Sequence, residues 1–314
     1  GDWSSDVCSS DLSNNGPYVF NAVMALKVLN CNVEKLKQSI VHLVNYYSNF
    51  PLRFSKGDSG WYQYVSLDSN SVVFEELDVD TNIDLPLIRT KISQLSNKIN
   101  IHNGPTLIVL LVRDNNDIHL MMITHHIYMD QFSMFIFKKC LDMLYNSQTL
   151  SIPKENHMLS YFNWINSLKH YASHHPDLLE QGYEKWKTRL EGGAEFYIDN
   201  TVCDYEPNNV KIKHLNLVNT MEIYHQYCSQ NNMQPFELAI IIFILCAQQM
   251  GKQNSLLFRF VAMGRDLKQK YSDVDTTNLM GWFATNTPIA VKLQNFPLLD
   301  TASDYKLLFN SLYN

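Results

Sequence analysis

The stretch Asp117-Ile118-His119-Leu120-Met121-Met122-Ile123-Thr124-His125-His126-Ile127-Tyr128-Met129-Asp130-Gln131-Phe132-Ser133 decides how this chain reads. Asp117 to Thr124 predicts a buried strand, and Gln131 to Asn146 predicts an amphipathic helix with Lys138 and Lys139 on its wet side. Between them an ionisable cluster of His125, His126 and Asp130 sits at a strand-to-helix corner, where side chains are presented to clefts. Successive strand side chains point to opposite faces, so if pairing runs to the end the two histidines cannot share one cavity. One is then free for chemistry and the other packs.

No metal site is expected at this corner. Adjacent histidines do not share a helix face as an i, i+4 pair does, no Glu lies between them, and no cysteine pair lies nearby at ligand spacing. Asp130 has a structural role open to it, because an Asp just before a helix can accept hydrogen bonds from the first free backbone amides.

The 314 residues suffice for about two domain-sized units with substantial cores. With 46% hydrophobic and 18% charged residues, the composition points to large buried surfaces and away from disorder. A net charge of -6 and a pI near 6.0 give no basic footprint for nucleic acid. The longest apolar run, Leu238 to Ala247, is far short of the roughly 20 residues a membrane span needs and reads as a core helix. The six cysteines, Cys8, Cys31, Cys140, Cys203, Cys228 and Cys246, have no paired spacing. They read as buried free thiols of a reducing, cytoplasmic compartment.

The spacing His-His-x-x-x-Asp at such a corner resembles the signature of condensation domains from nonribosomal peptide synthetases. Other blocks follow in the family's order. Gly16-Pro17-Tyr18 with Phe20-Asn21-Ala22, then Val33 to Ser48, resembles the opening strand and first helix. Leu52-Arg53-Phe54 and Gly60-Trp61-Tyr62-Gln63-Tyr64-Val65 resemble the next strand pair. Tyr161-Phe162-Asn163-Trp164 and Tyr183 to Gly192 resemble aromatic-rich helices leading into the second half. Pro235-Phe236-Glu237-Leu238, Gly264-Arg265 and Gly281-Trp282-Phe283-Ala284-Thr285-Asn286-Thr287-Pro288 complete the series.

The resemblance implies a mixed α/β fold of two chloramphenicol-acetyltransferase-like lobes facing each other in a V. Residues 13–153 would form the N-terminal lobe, which carries the histidine motif, and 154–314 an incomplete C-terminal lobe. Pro153 with Lys154-Glu155-Asn156 is the linker candidate. Gly1 to Leu12 reads as a translated sequencing adapter and is set aside. The chain stops inside a helix around Asp304 to Phe309 that members follow with further strands, which implies a truncated lobe.

The implied activity is amide formation between a carrier-bound thioester and a carrier-bound amine. Both arms are phosphopantetheine tethers on carrier proteins of the same megasynthase, so the domain needs no cofactor of its own, and neither nucleic acid nor membrane is a partner. His126 is the candidate catalytic group, since a near-neutral imidazole can take the amine proton or hold the amine in line. His125 is assigned to packing and orientation, and Asp130 to holding the loop. Gln131 stands where members usually have Gly, which would narrow the substrate passage. Pro51 stands where many members have an arginine that pairs with the motif Asp, with Arg53 nearby. Asn286 and Thr287 resemble channel positions, while the residues alone read as a satisfied turn before Pro288. Arg265 reads as a structural partner of Asp266. Two other functions fit the same residues: an acyltransferase acting on a free alcohol or amine, and a catalytically silent carrier-docking platform.

Overall fold

The computed structural model describes residues 21–58, 60–68, 70–78, 85–114, 117–146, 157–191, 218–249, 255–265 and 275–292. The adapter-like tail, the start of the opening-strand block, the 153–156 linker, Gly192, Asp266, Cys8, Cys203 and the 304–309 helix lie outside them. Two compact units are present, one of Gly1–His174 with Met263–Ala284 and one of His175–Ala262 with Thr285–Asn314. The first unit thus continues past the break expected at residue 153 and reclaims a later segment, a return that no local composition signals.

The first unit is built on a four-stranded sheet of order β1-β6-β5-β4, with β1 Asn21–Val28, β4 Val72–Asp78, β5 Leu107–Asp114 and β6 Asp117–His125. Pairing is antiparallel except for the parallel β4–β5 pair. A separate hairpin joins β2 Leu52–Gly57 to β3 Gly60–Val65. Helices α1 Val33–Tyr46 and α3 Gln131–Asn146 cover one face of the sheet, and α2 Leu85–Ser96 covers the other.

Burial on both faces explains why β5 reads as an unbroken apolar run, Leu107 to Val112, with every residue at 0% exposure. Leu107, Val109 and Leu111 face α1 and α3. Ile108, Leu110 and Val112 face α2. β6 divides the same way, sending Ile118, Leu120 and Met122 to the first core and Ile123 to the second. The last helix of this unit, α4 His157–His174, sets Trp164 against Leu279 and Phe283 of the returning segment.

The second unit contains α5 Pro176–Leu190, α6 Val218–Gln230 and α7 Pro235–Gln249, with an antiparallel pair β7 Ser255–Ala262 and β8 Thr285–Lys292. Ile244 and Ala247 of α7 pack with Leu256, Ile289 and Val291. Glu237 is buried because its carboxylate accepts the Gln234 amide at 2.7 Å, closing the first turn of α7. The helix expected in the core buries only one face, for Ile242 and Phe243 are exposed. Three expectations about thiols change as well: Cys246 is exposed, and Cys31 and Cys140 are half-buried. Cys140 and Cys246 sit on the flanks of their helices rather than on the buried stripes. No helix among the described residues is long and apolar enough to cross a membrane.

Candidate active site

The β6 ladder stops at His125, which pairs with Asn21, and residues 126–128 turn before α3 begins. His125 lies on the strand face of Ile123 and is 3% exposed. Its ring holds the turn, with Nδ1 accepting the Ile127 amide at 3.1 Å, and its carbonyl accepts the Tyr128 amide at 3.1 Å. Nδ1 of His125 is therefore the unprotonated nitrogen of that ring. Asn49 Nδ2 donates to the Tyr128 carbonyl at 2.5 Å, and Tyr128 Oη to the Leu52 carbonyl at 3.2 Å, tying the turn to the core.

His126 lies beyond the ladder, so the turn and not strand alternation sets its direction. The ring is half-buried and meets Trp282 edge-on, with centroids 4.6 Å apart and planes at 61°. His126 Nδ1 and Trp282 Nε1 are both enclosed without a hydrogen-bond partner among the described residues.

Asp130 is 2% exposed and holds two backbones at once. Oδ1 accepts the Ser133 amide at 2.7 Å, capping α3, and Oδ2 accepts the Phe283 amide of the returning segment at 3.0 Å. A carboxylate engaged this way is placed to hold and not to shuttle protons. Arg265 Nη2 stands 3.5 Å from Oδ1. Its Nη1 donates to the carbonyls of Thr276 at 2.6 Å and Leu279 at 2.9 Å, and Nη2 donates to Ser133 Oγ at 2.9 Å. The guanidinium is stacked 4.8 Å from the Phe132 ring and 4.0 Å from the Phe283 ring. Burial pulls its pKa below the ordinary arginine value, and Asp130 opposes that pull.

Ser133 completes the junction, donating from Oγ to the Gly281 carbonyl at 2.9 Å and accepting the Gly281 amide at 3.2 Å. The Asp130 amide also donates to the Gly281 carbonyl, at 3.2 Å. Gly281 has φ +153, and a Cβ there would fall well inside contact with the Tyr161 ring.

Gln131, the first residue of α3, is exposed. Asn286 and Thr287 are not in a turn: they are extended in β8, opposite Val261 and Phe260. They belong to the second unit, and the ladder takes up the backbone that a turn would have used. Arg53 is 1% exposed and bonds the Phe50 and Leu52 carbonyls at 2.8 and 2.9 Å, so it does not serve Asp130. That role belongs to Arg265, whose expected partner Asp266 lies outside the described residues. Arg265, Ser133, Gly281 and Trp282 were not expected as site residues. Three of them stand in family-like blocks, but nothing in one dimension joins those blocks to the histidines. Among the described residues no three His, Cys, Asp or Glu side chains gather as a metal site.

A profile of the condensation-domain family matches residues 10–305. The chain belongs to that family. Members are acyltransferases that form amide bonds in peptide synthesis. This condensation domain is 24% identical over 292 residues to one component of the linear gramicidin synthase of Brevibacillus parabrevis, covering 88% of the chain and 6% of that protein. It is 24% identical over 309 residues to the nonribosomal peptide synthetase vlms of a Lecanicillium species, covering 91% of the chain and 3% of that protein. It thus spans a small part of these relatives. Among solved structures, the epimerization domain of the third module of tyrocidine synthetase B superposes with a TM-score of 0.75 at 17% identity. That match covers 95% of this chain and 68% of the other. VibH, a condensation enzyme, superposes at 0.67 with 18% identity, covering 99% and 71%. At such identities the likeness concerns the fold.

Proposed function

We propose that this condensation domain joins a carrier-bound acyl or peptidyl thioester to the amine of a carrier-bound amino acid, forming an amide. The observation that carries the reading is the half-buried His126 imidazole, held at the motif corner by the backbone bonds of His125 and Asp130. Amide formation needs the amine aligned on the thioester carbonyl, the oxyanion stabilised, and one proton passed to the departing thiolate. A fixed imidazole can serve any of these needs. The relatives' names as peptide synthetases support the reading, and their multidomain length supports carrier proteins as partners. Phosphopantetheine arms on those carriers would bring both substrates, with no cofactor held by this domain.

The test uses loaded donor and acceptor carriers with the domain in its native synthetase, read by intact mass of the acceptor. A mass gain equal to the donor acyl group is expected, and His126→Ala should lose about 100-fold or more in rate. Undiminished transfer by His126→Ala removes the assigned role. Acylation of a free amine or alcohol but never of a carrier would favour the small-acceptor acyltransferase. No transfer with a range of donors would favour the docking platform.

A further inference from the structure

Two polar atoms in the His126–Trp282 contact have no partner among the described residues, and their chemistry is unequal. The indole N–H can only donate, whereas a neutral imidazole has one nitrogen that donates and one that accepts. Both Nε1 of Trp282 and Nδ1 of His126 are enclosed, and the rings are already in edge-on contact at 4.6 Å between centroids. A proton on Nδ1 would make both enclosed nitrogens of the touching rings donors, with no acceptor for either among the described residues. A lone pair on Nδ1 instead gives an acceptor on the ring that the indole already touches. Leaving a buried donor and acceptor unpaired costs more than turning a ring to pair them.

We infer that Trp282 selects the tautomer of His126: its Nε1–H donates to Nδ1, and the imidazole proton is held on Nε2. The inference deepens the proposed amide-forming reading and rests on it for its catalytic consequence. With its proton on Nε2, His126 meets substrate as a donor and not as a base. In the reaction the amine nitrogen bonds to the thioester carbon, and the carbonyl oxygen gathers negative charge, which Nε2–H stabilises by hydrogen bonding. The C–S bond then breaks as the C=O double bond reforms. The ammonium proton leaves with the thiolate, giving amide and free thiol without net proton transfer to the enzyme. Trp282 is in this account a positioning residue that acts through His126.

Nitrogen NMR of protein labelled in the histidine rings reads the tautomer without turnover, above the pH at which imidazoles lose their charge. The His126 signals are identified by their absence from His126→Gln. Wild type should show Nε2 protonated and Nδ1 bare. Trp282→Phe keeps an aromatic contact while removing the N–H, and should leave His126 as a mixture of tautomers. Its kcat should fall about fivefold to tenfold with KM unchanged, the effect of one neutral hydrogen bond. Nδ1 protonated in wild type, or an identical His126 spectrum in Trp282→Phe, overturns the inference. The wild-type spectrum decides by itself if the variant does not fold. Because it needs no substrate, that spectrum stands apart from failure of the amide-forming assay.

Discussion

Arg265 stands 3.5 Å from the carboxylate of Asp130, yet its shorter bonds go to two carbonyls and to Ser133 Oγ. The pair therefore works as a brace. Asp130 holds the start of α3 and the Phe283 amide, while Arg265 gathers the carbonyls of Thr276 and Leu279 under the same helix start. What the brace fixes is the position of Trp282, and through it the face of His126.

Asp130→Ala should destabilise the domain by about 3 kcal/mol, because it leaves a buried guanidinium without its counter-charge and two amides without acceptors. Arg265→Met should also destabilise it. The double variant should lose less than the sum, since neither charge is then stranded. Urea unfolding of the four proteins measures the coupling, and strict additivity would show that the two side chains do not act together.

His126→Ala should behave in the opposite way. The ring makes an edge-on contact with Trp282 and holds no backbone among the described residues, so its removal forfeits that packing and one neutral hydrogen bond, about 1–2 kcal/mol and less than Asp130→Ala. A melting temperature close to that of wild type, alongside lost transfer, is expected. A collapse of the fold would mean that the ring's role is structural.

Gly281→Ala should harm both stability and turnover. Its φ of +153 disfavours a side chain, and the added Cβ would press on the Tyr161 ring, whose Oη donates to the Trp282 carbonyl at 3.3 Å. The strain is on the order of 1–3 kcal/mol. If Gly281→Ala melts and turns over as wild type does, the segment is more compliant than its hydrogen bonds imply.

Gln131→Gly should leave the melting temperature nearly unchanged, since an exposed side chain at the first position of a helix gives up little packing. The transfer rate should rise with bulky donors if the amide obstructs their passage. An equal rate for small and bulky donors would show that Gln131 stays clear of them.

Acid should weaken the first unit through Glu75 and Glu76. Lys98 and Lys91 hold Glu75 below the usual carboxylate range, and Lys37 and Arg113 do the same for Glu76. A carboxylate depressed on folding stabilises above its unfolded pKa, and that stabilisation fades as pH falls through the folded value. Glu75→Gln with Glu76→Gln should flatten the decline of stability below the ordinary glutamate value of 4.5, measured by melts across acidic buffers. Both side chains are partly exposed, so added salt should shrink the difference.

The elements around the motif were legible from the residues alone. β6 was expected over Asp117 to Thr124 and runs one residue further, and α3 spans Gln131–Asn146 as its period predicts. Periodicity reports which face of an element is buried, whichever neighbours, near or far in the chain, bury it. The same local rule mistook Asn286 and Thr287 for a turn, because Pro288 punctuates sequence whether or not an edge strand accommodates it.

By itself, then, the sequence determined the strand, the helix and the corner that carries His125, His126 and Asp130, since these follow from side-chain period and from the preference of Asp for a helix start. Tertiary structure alone decided which way His126 turns, that Arg265 and not Arg53 braces Asp130, and that Trp282 lies against the imidazole. The reason is physical: those contacts join a corner ending near residue 133 to the segment Met263–Ala284, which returns to the first unit after a long excursion of the chain. Buried polar groups must find partners wherever the folded chain brings them, and no local pattern encodes where that is.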